Sequence, residues 1–349
     1  MDNRPQSPSV TVVVPNYNHA LYLAVSLESL ASQVRAPDRV LIIDDASTDD
    51  SVAVIARFTA QHPTWELIRH EKNQGVTRRQ NEALAAVDTE WIGFLGADDA
   101  LHPTYLEKAV AAAARHPGVG LISACCEIIG PPGARMLRPM MLPARQSAAL
   151  SPQDVRSALL AGDNYFPGTV SLFRRSAIQA LGGFNEDAGS FADALLARQL
   201  ALSFGFYFIA DILGYWRIHG DNYSMTTAAD PVALSAMIAR IGDVVAHSEL
   251  FPPGFQDLFE RRTRFGAARM VLSASTAIPV RAARIAALLN GGDNERRFLQ
   301  LLLHLGRPGN VAALGWLTLR TRPMSILRLI GQLATRRAII AATAAYRAK

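Results

Sequence analysis

From Val10 onward, short apolar runs alternate with stretches in which apolar residues recur every three or four positions. That alternation predicts an α/β sandwich, with helices packed over a mostly parallel sheet. Val10 to Val14 reads as a first strand, Asn16 to His19 as a turn, and Leu23, Leu27 and Leu30 as one face of a helix. Val40 to Ile43 is a second strand. It runs into Asp44-Asp45-Ala46-Ser47-Thr48-Asp49-Asp50, where Ser47, Thr48 or Asp49 can cap a helix reaching about His62. Strands follow at Trp65 to Arg69, Trp91 to Leu95 and Val119 to Ile129, with helices at Gln80 to Val87 and Thr104 to Arg115. Gly130 to Ser151 holds several prolines and reads as a loop or flap. After it come a strand at Thr169 to Phe173, a short helix at Ser176 to Leu181 stopped by Gly182-Gly183, a helix at Phe191 to Ser203 and a strand at Phe206 to Ala210. Beyond about Thr226, alanine, leucine and arginine dominate at helical spacing, with breaks near Pro252-Pro253, Gly291-Gly292, Pro308 and Pro323. The expected division is residues 1–225 as the α/β domain and residues 226–349 as a helical appendage.

Half of the 349 residues are apolar, enough for a large core and incompatible with wholesale disorder. The two cysteines, Cys125 and Cys126, are adjacent within an apolar run. Adjacent residues rarely reach disulfide geometry, so both are expected to be reduced, buried strand thiols, and the expected location is cytoplasmic. Met1 to Ser9 is polar and lacks the apolar core of a signal peptide. The net charge of +5 is unevenly spread: no acidic residue follows Glu295, whereas nine arginines and Lys349 do. That asymmetry points to an anionic partner such as lipid headgroups, a polyanion or another subunit. No uncharged apolar run approaches the roughly 20 residues of a membrane span, so the chain is expected not to cross a membrane. The arginines read either as a contact with its inner face or as a plain solvated helical surface. Nucleic-acid binding has only the basic tail in its favour, without interleaved aromatic residues, and is set aside.

In a parallel α/β sheet, ligands bind beyond the carboxyl ends of the strands. Three polar clusters fall there: Asn16-Tyr17-Asn18 after the first strand, Asp44-Asp45 after the second and Asp98-Asp99 after the fourth. Adjacent carboxylates repel one another unless a cation or hydrogen-bond donors intervene. A divalent ion carrying a diphosphate meets that need, and Mn2+ or Mg2+ takes oxygen ligands while leaving positions open for phosphate. Each cluster also has a plainer reading, as a helix cap, a solvated loop or, for Tyr17, core packing.

The stretch Val10-Thr11-Val12-Val13-Val14-Pro15-Asn16-Tyr17-Asn18, followed by Ile42-Ile43-Asp44-Asp45-Ala46-Ser47-Thr48-Asp49, resembles the opening of a family 2 glycosyltransferase. Lys72-Asn73-Gln74-Gly75 with Asn81, Asp98-Asp99, Gly182-Gly183-Phe184-Asn185-Glu186 with Asp193, and Trp216 to Ser224 are similar to that family's later blocks, in the same order. One block alone is weak; five in order are strong. The resemblance spans about Val10 to Ser224 and implies a GT-A nucleotide-binding sandwich. It further implies an inverting transferase that moves a sugar from a nucleotide-sugar donor, UDP-linked by preference, to a glycan or lipid-linked acceptor hydroxyl in polysaccharide or glycolipid assembly.

By that resemblance Pro15 and Tyr17 line the donor pocket, with Tyr17 stacked on the base. Asp45 accepts a hydrogen bond from a base nitrogen, and Arg78 or Arg79 faces the diphosphate. Asp98 holds the ribose or helps with the metal, Asp99 binds it, His219 binds it or the departing phosphate, and Asp193 is the general base. Three departures stand out. Gly96 occupies the place, two before Asp98, where the family usually has an acid. Ala192 precedes Asp193 where Glu is common, and Arg79-Gln80-Asn81 replaces Ala-Arg-Asn. They leave open a catalytically weakened nucleotide-sugar-binding or scaffold protein, and more distantly a nucleotidyltransferase.

Overall fold

The structure is a computed structural model and describes residues 7–129, 136–138, 142–162, 166–219, 222–274 and 276–323. Its centre is a ten-stranded sheet: β1 (Val10–Asn16), β2 (Arg39–Asp44), β3 (Trp65–Arg69), β4 (Trp91–Phe94), β5 (Ala100–Leu101), β6 (Leu121–Ile129), β7 (Met136–Arg138), β8 (Ala148–Leu150), β9 (Ser171–Arg174) and β10 (Phe206–Arg217). The main path runs β3-β2-β1-β4-β9-β6-β10-β5. The pairs β1/β2, β1/β4, β2/β3 and β6/β10 are parallel, and β9 lies antiparallel between β4 and β6. The sheet is therefore mixed: β1, β2, β3, β4, β6 and β10 share one direction, as the alternating pattern predicts, while β9 at its middle and the short β5, β7 and β8 run the other way.

Alternation along β1 assigns its two faces. Val12 and Val14 pack with Leu23, Leu27 and Leu30 beneath α1 (Ala20–Ala31), α2 (Ser51–Thr59) and α4 (Tyr105–Arg115). Val13 faces the other way, into a core shared by α3 (Val76–Ala86), α5 (Pro152–Ala161), α6 (Arg175–Ala180) and α7 (Ala192–Phe204). That second core continues into the carboxyl-terminal helices α8 (Tyr223–Ala229), α9 (Pro231–Ala246), α10 (Phe255–Leu272), α11 (Ile278–Leu288), α12 (Asp293–His304) and α13 (Arg307–Thr321). Leu234, Phe259, Leu299 and Leu317 belong to the same apolar cluster as Val13 and Leu41. The helical character of the appendage is as the sequence predicts. The 225/226 boundary falls inside α8, and the helices share the sheet's core instead of forming a second one.

Three local expectations are corrected. The stretch expected to be a loop or flap contains β8, which pairs antiparallel with β10, and β7, which pairs with β6; residues 130–135 and 139–141 lie outside the described residues. The helix expected from Gln80 begins at Val76, immediately after Gly75 at φ 90°. Ser47 does not cap α2, because its hydroxyl accepts from Asn16 Nδ2 (3.1 Å) and the Asn18 amide (2.9 Å). Asp49 instead accepts from the Ser51 amide at 3.0 Å and the Ala20 amide at 2.9 Å, tying the starts of α2 and α1 together.

Candidate active site

The carboxyl ends of β1, β2 and β4 open onto a cleft of about 820 Å3. Pro15, Tyr17, Asp45, Arg78, Arg79, Asp98 and Asp193 all line it, so the expected donor-side residues converge on one cavity. Tyr17 is 42% exposed and stands at the rim. Asp44 does not contribute; wholly buried, it accepts from Asn16 Nδ2 (2.8 Å) and the Ser47 amide (3.0 Å), and so shapes the loop after β1.

Asp45 and Arg79 form a buried pair. Asp45 Oδ1 accepts from Arg79 Nε at 2.7 Å, and Oδ2 accepts from the amides of Gln74 (3.0 Å) and Gly75 (2.8 Å). Arg79 also donates to Glu82 (2.8 Å), the Lys72 carbonyl (3.2 Å) and Gln74 Oε1 (3.2 Å). Both Asp45 oxygens are thus engaged by the protein, and Arg79 braces the 72–75 loop. Arg78, exposed on the next position of α3, is the arginine left at the cleft mouth.

Asp98 and Asp99 diverge. Asp98 Oδ2 accepts from Asn222 Nδ2 (2.9 Å) and lies 2.8 Å from His219 Nε2. Asp99 turns the other way, accepting from the Thr169 hydroxyl and, at 2.9 Å, from the Arg217 amide. Its carboxyl is pushed up to about 8, first by burial and then by the neighbouring Asp98 charge. Gly96 makes this packing possible: a Cβ there would stand 2.8 Å from Asp98 Oδ1 and 3.0 Å from Asp99 Oδ2. A side chain at that position would have to displace the Asp98 and Asp99 carboxylates.

Among the described residues, the one group able to offer a metal three ligand atoms within 4.8 Å of one another is His19, Asp98 and His219. His19 Nδ1 is buried and has no hydrogen-bond partner among the described residues, which leaves its lone pair available to an ion. The His219 ring is held by Tyr22, stacked at 5.1 Å, whose other neighbour is the Arg217 guanidinium at 4.9 Å. The residues fit a divalent ion, with Asp98 as the carboxylate of the group beside the expected His219, while the expected Asp99 lies outside it. His19 was not singled out by sequence; its only signal was its place in the loop that carries Tyr17.

Asp193 sits in the first turn of α7, and its Oδ1 accepts from the Ala194 amide at 2.7 Å. Its Oδ2 rests against the turn at Gly168, where a Cβ would stand 2.6 Å away. Asp193 also lines a second cavity of about 500 Å3, which runs from Gly96, Asp99 and Thr169 toward Leu234, Phe259 and Arg269 of the carboxyl-terminal helices. The two cavities share Pro15, Val76, Gln80, Gly96, Ser190, Asp193 and Trp216. The carboxylate expected as a base therefore stands where two compartments meet.

Residues 11–182 match the profile described as Glycosyl transferase family 2. This chain carries a family 2 glycosyltransferase domain. An uncharacterised glycosyltransferase of a Nostoc species is 29% identical over 226 residues, 63% of this chain and 68% of the relative. Among solved structures, residues 1–349 of TarS of S. aureus in complex with UDP-GlcNAc superpose with a TM-score of 0.58 at 16% identity, covering 90% of this chain and 91% of that TarS fragment. The mannosyltransferase PcManGT from Pyrobaculum calidifontis, in complex with GDP-Man and Mn2+, gives 0.57 at 22% identity, covering 91% and 86%. At these identities the structures establish the fold, and it is the GT-A fold. The family 2 domain belongs to an enzyme of the glycosyltransferase class, and no described helix is long and apolar enough to cross a membrane.

Proposed function

We propose that this chain is an inverting glycosyltransferase that moves a sugar from a nucleoside-diphosphate donor in the larger cavity to an acceptor hydroxyl presented from the smaller one. The observation that carries the reading is the position of Asp193, which borders both cavities. Sugar hydroxyls are poor nucleophiles, so a carboxylate at that junction takes the proton as the oxygen bonds to the anomeric carbon. The bond from that carbon to the diphosphate breaks in the same displacement, through an oxocarbenium-like transition state, and the configuration inverts. Tyr17 and Pro15 form the nucleotide rim, Asp45 shapes the wall behind the base through Gln74 and Gly75, and Arg78 meets the diphosphate.

His19, Asp98 and His219 would hold a divalent ion, whose contribution is Lewis-acid neutralisation of the departing nucleoside diphosphate. Two imidazole ligands beside one carboxylate suit Mn2+ better than Mg2+, which prefers oxygen throughout. UDP-sugars are the first donors to assay, and a glycan or lipid-linked hydroxyl is the acceptor class, as in polysaccharide or glycolipid assembly. The buried cysteines suit a reducing cytoplasm, with the basic carboxyl-terminal region available to an anionic surface.

Purified protein with Mn2+ and a panel of nucleotide sugars should release nucleoside diphosphate in the presence of acceptor. Replacing Asp193 by Asn should lower kcat about 100-fold or more while donor affinity stays within about threefold. Undiminished turnover by that variant would remove the proposed base, and failure of every donor to bind would end the transferase reading.

A further inference from the structure

Helices α12 and α13 lie side by side at the end of the described chain. Phe298 meets Trp316 with ring centroids 5.7 Å apart, and Arg320 reaches Glu295 at 3.1 Å. Their inner faces are Leu299 and Leu303 on α12 and Ala313 and Leu317 on α13, all fully buried. A helix turns about 100° per residue, so Leu301 on the first, Leu305 at its carboxyl-terminal cap, and Val311 and Leu319 on the second point away from that core. They are 71%, 64%, 72% and 69% exposed, and Phe298 and Leu314 add partly covered edges. Isolated apolar surface residues are ordinary; a group of them on one face of two adjacent helices marks an interaction surface.

The charge around this face is predominantly positive, and the acid at the start of α12, Asp293, is paired with Arg296 at 3.1 Å. Arg297 stands one turn before Leu301 on the same helix face, Arg307 opens α13 and Arg322 follows Leu319, all exposed. Glu295, the last acid in the sequence, is engaged by Arg320. The remaining basic residues, Arg328, Arg336, Arg337, Arg347 and Lys349, lie outside the described residues and extend the same asymmetry. A second copy of the chain would set this positive face against itself, which like charges oppose. An apolar strip bordered by arginines matches the acyl boundary and phosphates of an anionic bilayer.

We propose that the outer face of α12 and α13 docks in the plane of an anionic lipid surface, with Leu301, Leu305, Val311 and Leu319 entering the acyl boundary and Arg297, Arg307 and Arg322 on the headgroup phosphates. This surface is independent of the chemistry assigned to Asp193.

The test is co-sedimentation of the full chain with vesicles of phosphatidylcholine alone or with about one third phosphatidylglycerol, where binding should be on the order of tenfold stronger and fall in high salt. The double variant Leu301→Glu/Leu305→Glu should lose about tenfold or more of that binding, while Arg297→Gln/Arg322→Gln should lose the preference for phosphatidylglycerol. Both should keep the parent thermal midpoint and nucleotide-sugar affinity, since neither pair touches the core or the cleft. Equal binding to both vesicles, or undiminished binding by the Glu variant, would overturn the proposal. So would gel filtration showing a dimer that the Glu variant dissociates, because the face would then be a contact between copies.

Discussion

Gly168 and Gly96 show how single residues hold the site open. The Asp193 carboxylate rests where a side chain at position 168 would begin, 2.6 Å from a Cβ. Gly168→Ala should therefore displace Asp193 and lower kcat on the order of tenfold or more, with little change in thermal midpoint, in steady-state assays beside the parent protein. Asp99 makes a separate prediction, for the metal-free chain. Its folded value, about 8, lies above the ordinary 3.8. Between those limits the folded state holds a proton that the unfolded chain has released. The contribution is therefore fully present at low pH and is lost as pH rises toward 8. Thermal midpoints measured from pH 5 to pH 8 should fall more steeply for the parent than for Asp99→Asn, and equal slopes would contradict the assignment. None of this was visible in the dipeptide Asp98-Asp99, whose members look equivalent until the Thr169 hydroxyl and Arg217 amide claim one of them.

Elements reveal a second kind of dependence. The loop between β3 and α3 has no apolar anchor in the sequence; Asp45 at the end of β2 supplies one by binding the Gln74 and Gly75 amides and Arg79 together. Asp45→Ala would leave the Arg79 guanidinium buried without its main partner. The expected cost is about 3–5 kcal/mol, read as a lower urea midpoint at unchanged m value. This bracing also explains why α3 starts four residues before the apolar pattern indicates: Val76 to Arg79 are organised by Asp45, not by burial of a hydrophobic face. β8 escaped notice for a similar reason. Three residues carry no usable period, and their strand identity comes from pairing with Phe206 to Phe208 far along the chain.

Across the whole molecule, the group proposed to bind an ion joins the loop after β1, the loop after β4 and the segment after β10, with Asp98 and His219 separated by 121 positions. Mn2+ should raise the thermal midpoint of the folded chain, by about 2.7 kcal/mol of added stability at 100-fold excess over Kd. His19→Ala should weaken Mn2+ binding by calorimetry on the order of tenfold or more. Absence of any Mn2+ shift would remove the metal from the scheme. The appendage belongs to this scale as well. Its helices complete the core beneath the sheet and wall the smaller cavity, so deleting them would remove Leu234 and Phe259, uncover the Phe191 ring that packs on Phe259, and leave Asp193 with one compartment.

The order of the apolar runs, the polar clusters at their carboxyl ends and the five similar blocks were sufficient to determine a GT-A sandwich and to gather the donor-side residues, because strand and helix periods and strand-end loops are local properties of the chain. Tertiary packing alone decided that Asp98 and not Asp99 meets the histidines, that Arg79 is a brace and Arg78 the accessible cation, and that His19 joins the group. Those outcomes depend on which distant groups a carboxylate or guanidinium reaches once buried. Hydrogen-bond partners more than a hundred residues away leave no trace in sequence spacing.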